Sequence, residues 1–236
     1  MAVKLPCPQD ITVLHVDDAL LVLDKPSNLL SVPGRGPDKQ DCLSARVQRH
    51  YPDALIVHRL DMATSGIMVM ARGPAVQRTL SKAFADRQVH KRYVAIVSGT
   101  VKAPAQDWGL IDLPIAVDWP RRPLRIIDPV NGKPSMTRWR SLGPHNASAT
   151  LQATRLELEP VTGRSHQLRV HLQAIGHPIL GDRLYAPLEV QDRAPRLLLH
   201  ASTLSCTHPV NGQTLHFEST PPLELFGVVR SHFATK

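Results

Sequence analysis

The chain has little cysteine, three residues in 236, and few aromatic residues, 4%. Cys7, Cys42 and Cys206 are odd in number, far apart and without a Cys-x-x-Cys pair, which argues against a disulfide framework and a structural zinc site. No apolar run approaches the length that crosses a bilayer, and no helix with a lysine-rich face is evident, so no membrane association is expected. Met1 to Asp10 holds one lysine, two prolines and no apolar signal core, so the expected location is a reducing cytoplasm. The 12 histidines include no His-x-x-x-His pair beside an acid. His166 and His171 come nearest, and their five-residue offset turns them to different sides of a helix. No metal site is expected.

What the chain does have is positive charge. Lys+Arg 28 against Asp+Glu 20 gives a formal net charge of +8, the balance of a protein with a polyanionic partner, and nucleic acid is the first expectation. Hydrophobic residues at 42% are enough for a folded core. With no internal repeat or low-complexity linker, residues 1–236 read as one compact domain, at most two closely packed lobes.

Short apolar runs, Thr12 to Val16 and Leu20 to Lys25, flank Asp17-Asp18-Ala19 and predict a strand, a turn and a strand. Leu43 and Val47 predict a short helix that ends before Pro52. Leu55 to Val57 and Ile67 to Ala71 read as strands, and Pro74 opens a helix with Val76, Leu80 and Phe84 on one stripe. Tyr93 to Val97 is a further strand. Val101 to Pro144, rich in Pro and Gly, reads as loops with short strands. Leu156 to Glu159 alternates as a half-exposed strand, and Thr162 to Ser165 turns into a helix carrying Leu168, Leu172 and Ile175. Arg196 to His200, Leu204 to Thr207 and Leu215 to Glu218 complete the strands. The expected class is α+β, a mixed, mostly antiparallel sheet with flanking helices and a central cleft.

The most informative segment is His58-Arg59-Leu60-Asp61-Met62-Ala63-Thr64-Ser65-Gly66. It sets one carboxylate beside an arginine, and a partly desolvated carboxylate is a usable nucleophile or base. By itself an Arg-x-Asp triplet is more often an ion pair or a turn cap. The nine residues together resemble the catalytic motif of the RluA-type pseudouridine synthases, followed as in that family by a hydrophobic strand.

Other segments fall in the family's order. In Lys91-Arg92-Tyr93, strand alternation puts Lys91 and Tyr93 on one face, where a tyrosine can stack on an extruded base. Thr162 to Arg169 contains a Gly-Arg-x-His-Gln string whose arginine, in the family, pairs with the catalytic aspartate; by position that is Arg164. Leu197 to Ala201 is similar to the apolar strand that lines the family's uracil pocket. Lys25 to Leu30 and His177 to Asp182 also match and read as scaffold. The resemblance spans Asp18 to Pro209.

It implies isomerisation of an RNA uridine to pseudouridine without a cofactor. Asp61 would be nucleophile or base, Arg164 would hold it, and Tyr93 would stack on the uracil while Arg59 fills the space the base leaves. RNA-contact candidates are His58, Arg59, Lys91, Arg35, Arg121, Arg122, Arg169 and Leu199. Ser31 to Arg35, Met62-Ala63 and Asp118 to Pro123 are similar to family members that act on both a 23S rRNA hairpin and the tRNA anticodon stem-loop. Only Met1 to Asp24 precede Lys25-Pro26, too few for the S4-type RNA-binding domain of many relatives, and a monomer is expected. A ribonuclease, an RNA glycosidase or a non-enzymatic RNA-binding module would also place a carboxylate on a basic surface.

Overall fold

The computed structural model describes residues 11–102, 104, 107–145 and 152–222. The first hairpin joins β1 (Thr12–Val16) to β2 (Leu20–Lys25), and Asp17 closes its turn by accepting from the Ala19 and Leu20 N–H groups at 2.7 and 2.8 Å. Leu21 and Leu23 of β2 face one core and Leu20 and Val22 another, so the strand is apolar throughout. The same holds for β4 (Ser65–Arg72): Met68 and Met70 enter one core, Ile67, Val69 and Ala71 the other. A continuous apolar run is what a strand covered on both faces requires. The covers are α1 (Leu43–Gln48) with the loop around Leu60 on one side and α2 (Pro74–Ala85) on the other.

The remaining strands and α-helices are β3 (Ala54–Ile56), β5 (His90–Ser98), β6 (Gly109–Asp112), β7 (Ile115–Val117), β8 (Arg125–Ile127), β9 (Met136–Pro144), β10 (Ala153–Pro160), α3 (Gln167–Ala174), α4 (Leu188–Gln191), β11 (Leu199–Thr207) and β12 (Thr214–Glu218). One sheet runs β1-β2-β4-β11-β5-β10-β9-β6, with β3 on β4 and β12 on β11. Every pairing in it is antiparallel except β4 with β11, the mixed, mostly antiparallel sheet expected. Strands β7 and β8 form a separate hairpin. At the parallel junction Gly66 has φ 112, and a Cβ there would meet the Ala201 carbonyl oxygen at 2.3 Å. Only glycine lets the two central strands approach just beyond the Asp61 loop. A third core lies between the sheet and α3, with Leu156, Leu158, Leu168 and Leu172 in it.

Two segments depart from the sequence expectation. Met136–Pro144, expected among loops and short strands, is a nine-residue strand. Its polar side chains find partners across the ladder: Arg138 stands opposite Glu159 and Arg140 opposite Glu157, each pair an ion pair. Cross-strand charge pairs of this kind support a strand that lacks an apolar pattern. The expected strands at Arg196 to His200 and Leu204 to Thr207 are one, β11, because a register shift opposite β5 between Ala201 and Thr203 absorbs the polar interruption without ending the ladder. Among the described residues no helix is long and apolar enough to cross a membrane.

Candidate active site

The loop between β3 and β4 is pinned from beneath. Lys25, fully buried, donates through Nζ to the carbonyls of Pro26 and Leu29 at 2.8 Å and of Met62 at 3.1 Å. Burial pushes its amine down to about 7, and the charge of Asp61 opposes that fall. Ser31 Oγ donates to the Leu60 carbonyl and accepts from the Leu60 N–H, and Ser27 Oγ donates to the Ala63 carbonyl. The Thr64 N–H closes the turn on the Asp61 carbonyl at 3.1 Å. Asp61 is thereby held with its side chain 27% exposed, in a cleft of about 1270 Å³.

Helix α3 brings the partner. Arg169, on its buried face, extends Nη1 to Asp61 Oδ2 at 3.4 Å. Its Nε and Nη2 donate to the two oxygens of Asp182 at 2.8 and 2.6 Å. Asp182 also accepts from the Leu184 and Tyr185 N–H groups, so its buried charge is satisfied on every side. Burial would make Arg169 easier to deprotonate, but Asp182 and Asp61 outweigh it and hold the guanidinium charged.

This corrects the expectation for two arginines. Arg164 does not pair with Asp61: it is exposed, and its side chain makes no hydrogen bond or ion pair among the described residues. It sits in the turn ahead of α3, where Gln167 Oε1 takes its backbone N–H and the Thr162 hydroxyl, and it lines the cleft without reaching the carboxylate. Arg169, expected to touch RNA, is 4% exposed and committed to the two carboxylates.

At the N-cap of α3, His166 has φ 58; its Nδ1 lies 2.6 Å from Tyr185 Oη and its Nε2 3.8 Å from Asp61 Oδ1. Tyr185 Oη accepts from the Arg125 N–H at 3.0 Å. Burial pushes the phenol up to about 12. Burial also lowers His166, with Asp61 pulling the other way.

The cleft brings several other expected residues together. Arg59, Lys91, Tyr93 and Leu199 line it with Asp61. Burial, aided by Asp61, raises the Tyr93 phenol, so it stays neutral, and its hydroxyl has no partner among the described residues. His58 is on the wall but tied inward: Nε2 accepts the Val69 N–H at 2.9 Å and the ring stacks on Phe84 with centroids 4.4 Å apart. Burial and then Lys91 push it down to about 3, so it is a neutral ring that serves the scaffold as an acceptor. Arg35 is exposed and away from the cleft wall. Arg121 and Arg122 project from the β7–β8 hairpin, the first bonded to Asp118 and the second stacked 3.5 Å over the Trp119 ring centroid. Sequence reasoning passed over Lys25 and Asp182, placed in motifs read as scaffold; it gave no role to His166, although the Gly-Arg-x-His-Gln string contains it, and Tyr185 carries no signal until α3 and the 182–185 turn meet. Among the described residues no cluster of His, Cys, Asp and Glu could hold a metal.

Comparison with known proteins identifies the family. Residues 19–174 match the family model described as RNA pseudouridylate synthase. A relative from Escherichia coli strain K12, named dual-specificity RNA pseudouridine synthase RluA, is 48% identical over 90% of this chain and 94% of its own. The protein of that name from Yersinia pestis is 48% identical over 87% and 97%. The solved structure of human RNA pseudouridylate synthase domain containing 1 superposes with a TM-score of 0.75 at 26% identity, covering 92% of this chain and 86% of that one. With a family model matching residues 19–174 and relatives 48% identical over most of the chain, the chain belongs to the RNA pseudouridylate synthase family, whose members are isomerases.

Proposed function

We propose that this enzyme isomerises a uridine in the anticodon stem-loop of tRNA and in a 23S rRNA hairpin, with Asp61 as the reacting carboxylate. The observation that carries the reading is the pairing of a partly buried Asp61 with a buried, charge-locked Arg169 at the base of a basic cleft. In the reaction the N1–C1′ bond breaks, the base turns, C5 bonds to C1′, C5 gives up its proton and N1 gains one. Atoms and electrons balance with no redox partner. The uridine must leave its stack to expose these atoms. Tyr93 then offers a ring face to the uracil, Arg59 occupies the space vacated, and Asp61 acts as nucleophile or base while Arg169 fixes its orientation. Lys91 and the exposed Arg35, Arg121, Arg122 and Arg164 supply phosphate contacts. One catalytic domain, acting as a monomer in the cytoplasm, accounts for this chemistry.

A glycosidase would need a second carboxyl group as acid. Asp182 is occupied by Arg169 and Glu159 by Arg138, which disfavours that reading. The test is to incubate stem-loop RNA with the protein, digest it, and look for a mass-neutral, chromatographically shifted uridine that disappears with Asp61→Asn while RNA affinity stays within about three-fold, since the amide keeps the shape. Turnover by a clean Asp61→Asn preparation removes Asp61 from the role. Free uracil or cut strands point to a glycosidase or nuclease, and binding without any new nucleoside points to a binding module.

A further inference from the structure

We propose that His166 is a second positioning residue for the Asp61 carboxylate, its Nε2–H closing on Oδ1 while Arg169 holds Oδ2 when the cleft is filled. The inference rests on Asp61 being the reacting group.

Backbone and ring are both unusual here. His166 is one of three non-glycine residues with positive φ among the described residues, and it stands where α3 meets the cleft. A histidine holds a left-handed conformation when its surroundings fix it, and such positions cluster at functional sites. What fixes this one is Tyr185. The Tyr185 oxygen already accepts the Arg125 N–H, so its own proton needs an acceptor, and His166 Nδ1 at 2.6 Å is the one in reach. The imidazole therefore carries its hydrogen on Nε2, the nitrogen that faces Asp61 Oδ1 at 3.8 Å. That gap closes to a hydrogen bond with a shift of under ~1 Å.

The charged groups facing the ring are Asp61 and Asp182 on one side of the balance and Arg169 and Arg125 on the other. Burial among them keeps the imidazole neutral, a donor and not a competing cation. Arg169 and His166 would then grip one oxygen of Asp61 each. The tautomer is set by the backbone of Arg125, in the hairpin strand β8 that follows the exposed Trp119, Arg121 and Arg122.

The experiment is single-turnover kinetics on a stem-loop substrate across the pH range, with His166→Asn, His166→Gln and Tyr185→Phe. Asparagine accepts the left-handed backbone but is too short to reach Asp61. His166→Asn should slow the step about 10- to 100-fold, the weight of one hydrogen bond to a charged group. Half-saturation should stay within about three-fold, with the acid limb of the profile displaced to higher pH. His166→Gln, which restores an N–H at similar reach, should recover part of the rate, and Tyr185→Phe should fall between. A wild-type rate and unmoved acid limb in folded His166→Asn overturns the proposal. So does a pH-independent loss that tracks a fall in melting temperature and is not rescued by glutamine. The two readings separate cleanly: turnover by Asp61→Asn sinks the role of Asp61, whereas an inert Asp61→Asn beside a fully active His166→Asn sinks this inference alone.

Discussion

Asp182 holds Arg169 by two hydrogen bonds, at 2.8 and 2.6 Å, and in doing so aims the third guanidinium nitrogen at Asp61, 3.4 Å away. The Asp182 side chain is fully buried and that of Arg169 is 5% exposed, so neither charge has water to fall back on. A buried pair of this kind contributes orientation more than stability, but it cannot be halved without penalty.

Removing one partner should therefore be severe. Asp182→Ala leaves a buried cation with only its 3.4 Å contact to Asp61 and two backbone N–H groups without an acceptor, and we expect a loss of about 3–5 kcal/mol in urea unfolding. Arg169→Met should abolish turnover, with Arg169→Lys less damaging to the fold than to the rate because one ammonium cannot serve both carboxylates in the same geometry. Arg164→Met, on the surface, should change stability by less than ~0.5 kcal/mol. If Arg164→Met destabilises the fold as much as Asp182→Ala, the assignment of the two arginines is wrong.

Tyr93 packs against two of the three cores while its hydroxyl has no partner among the described residues. Tyr93→Phe should keep the fold and the RNA affinity and lower the rate. Tyr93→Ala should in addition weaken binding by the ~1–3 kcal/mol that base stacking contributes. Indistinguishable affinities for the two variants would refute the stacking role.

Asp17 supplies an acid-labile element remote from the cleft. Burial works to raise its carboxyl, but the hydrogen bond to His15 and those from the Leu20 and Ala19 N–H groups prevail and bring it down from 3.8 to about 2; His208 Nε2 lies 3.2 Å from Oδ2 as well. A folded pKa below the unfolded one stabilises fully above the unfolded value and is lost as pH falls through the folded value. Thermal melts of the wild type should thus drop between about pH 4 and 2. Asp17→Asn should be less stable near neutrality and flatter across that acid window; parallel curves would exclude the carboxylate as the source.

Substrate choice should be compact. Basic residues on the cleft wall and the β7–β8 hairpin form a small footprint, so an isolated anticodon-type stem-loop should be modified nearly as well as intact tRNA, with affinity falling as salt rises. The same loop without its stem should be poor, because groove shape and 2′-hydroxyls are lost. Modification of intact RNA alone would show that distant contacts supply the specificity.

Much of this was legible in the chain. The β1–β2 hairpin, the short α1, the proline that opens α2 and the buried run of β4 are set by neighbours in sequence: turn acceptors, fixed φ and apolar period. The string around Asp61 identified the reacting carboxylate to propose, because a loop motif keeps its residues together whatever the fold does.

Tertiary structure decided what depends on pairing at a distance. Strand β9 exists because Arg138 and Arg140 meet glutamates on β10, and β11 runs unbroken because β5 tolerates a bulge beside it. Arg164 and Arg169 are equivalent as letters, one in a Gly-Arg-Ser turn and one a helical turn and a half further on. Only the entry angle of α3, set by Gln167 and received by Asp182, buries the second against Asp61 and leaves the first in water. Local sequence specifies elements through short-range sterics and period; which charge finds which partner is settled by where the finished elements are packed.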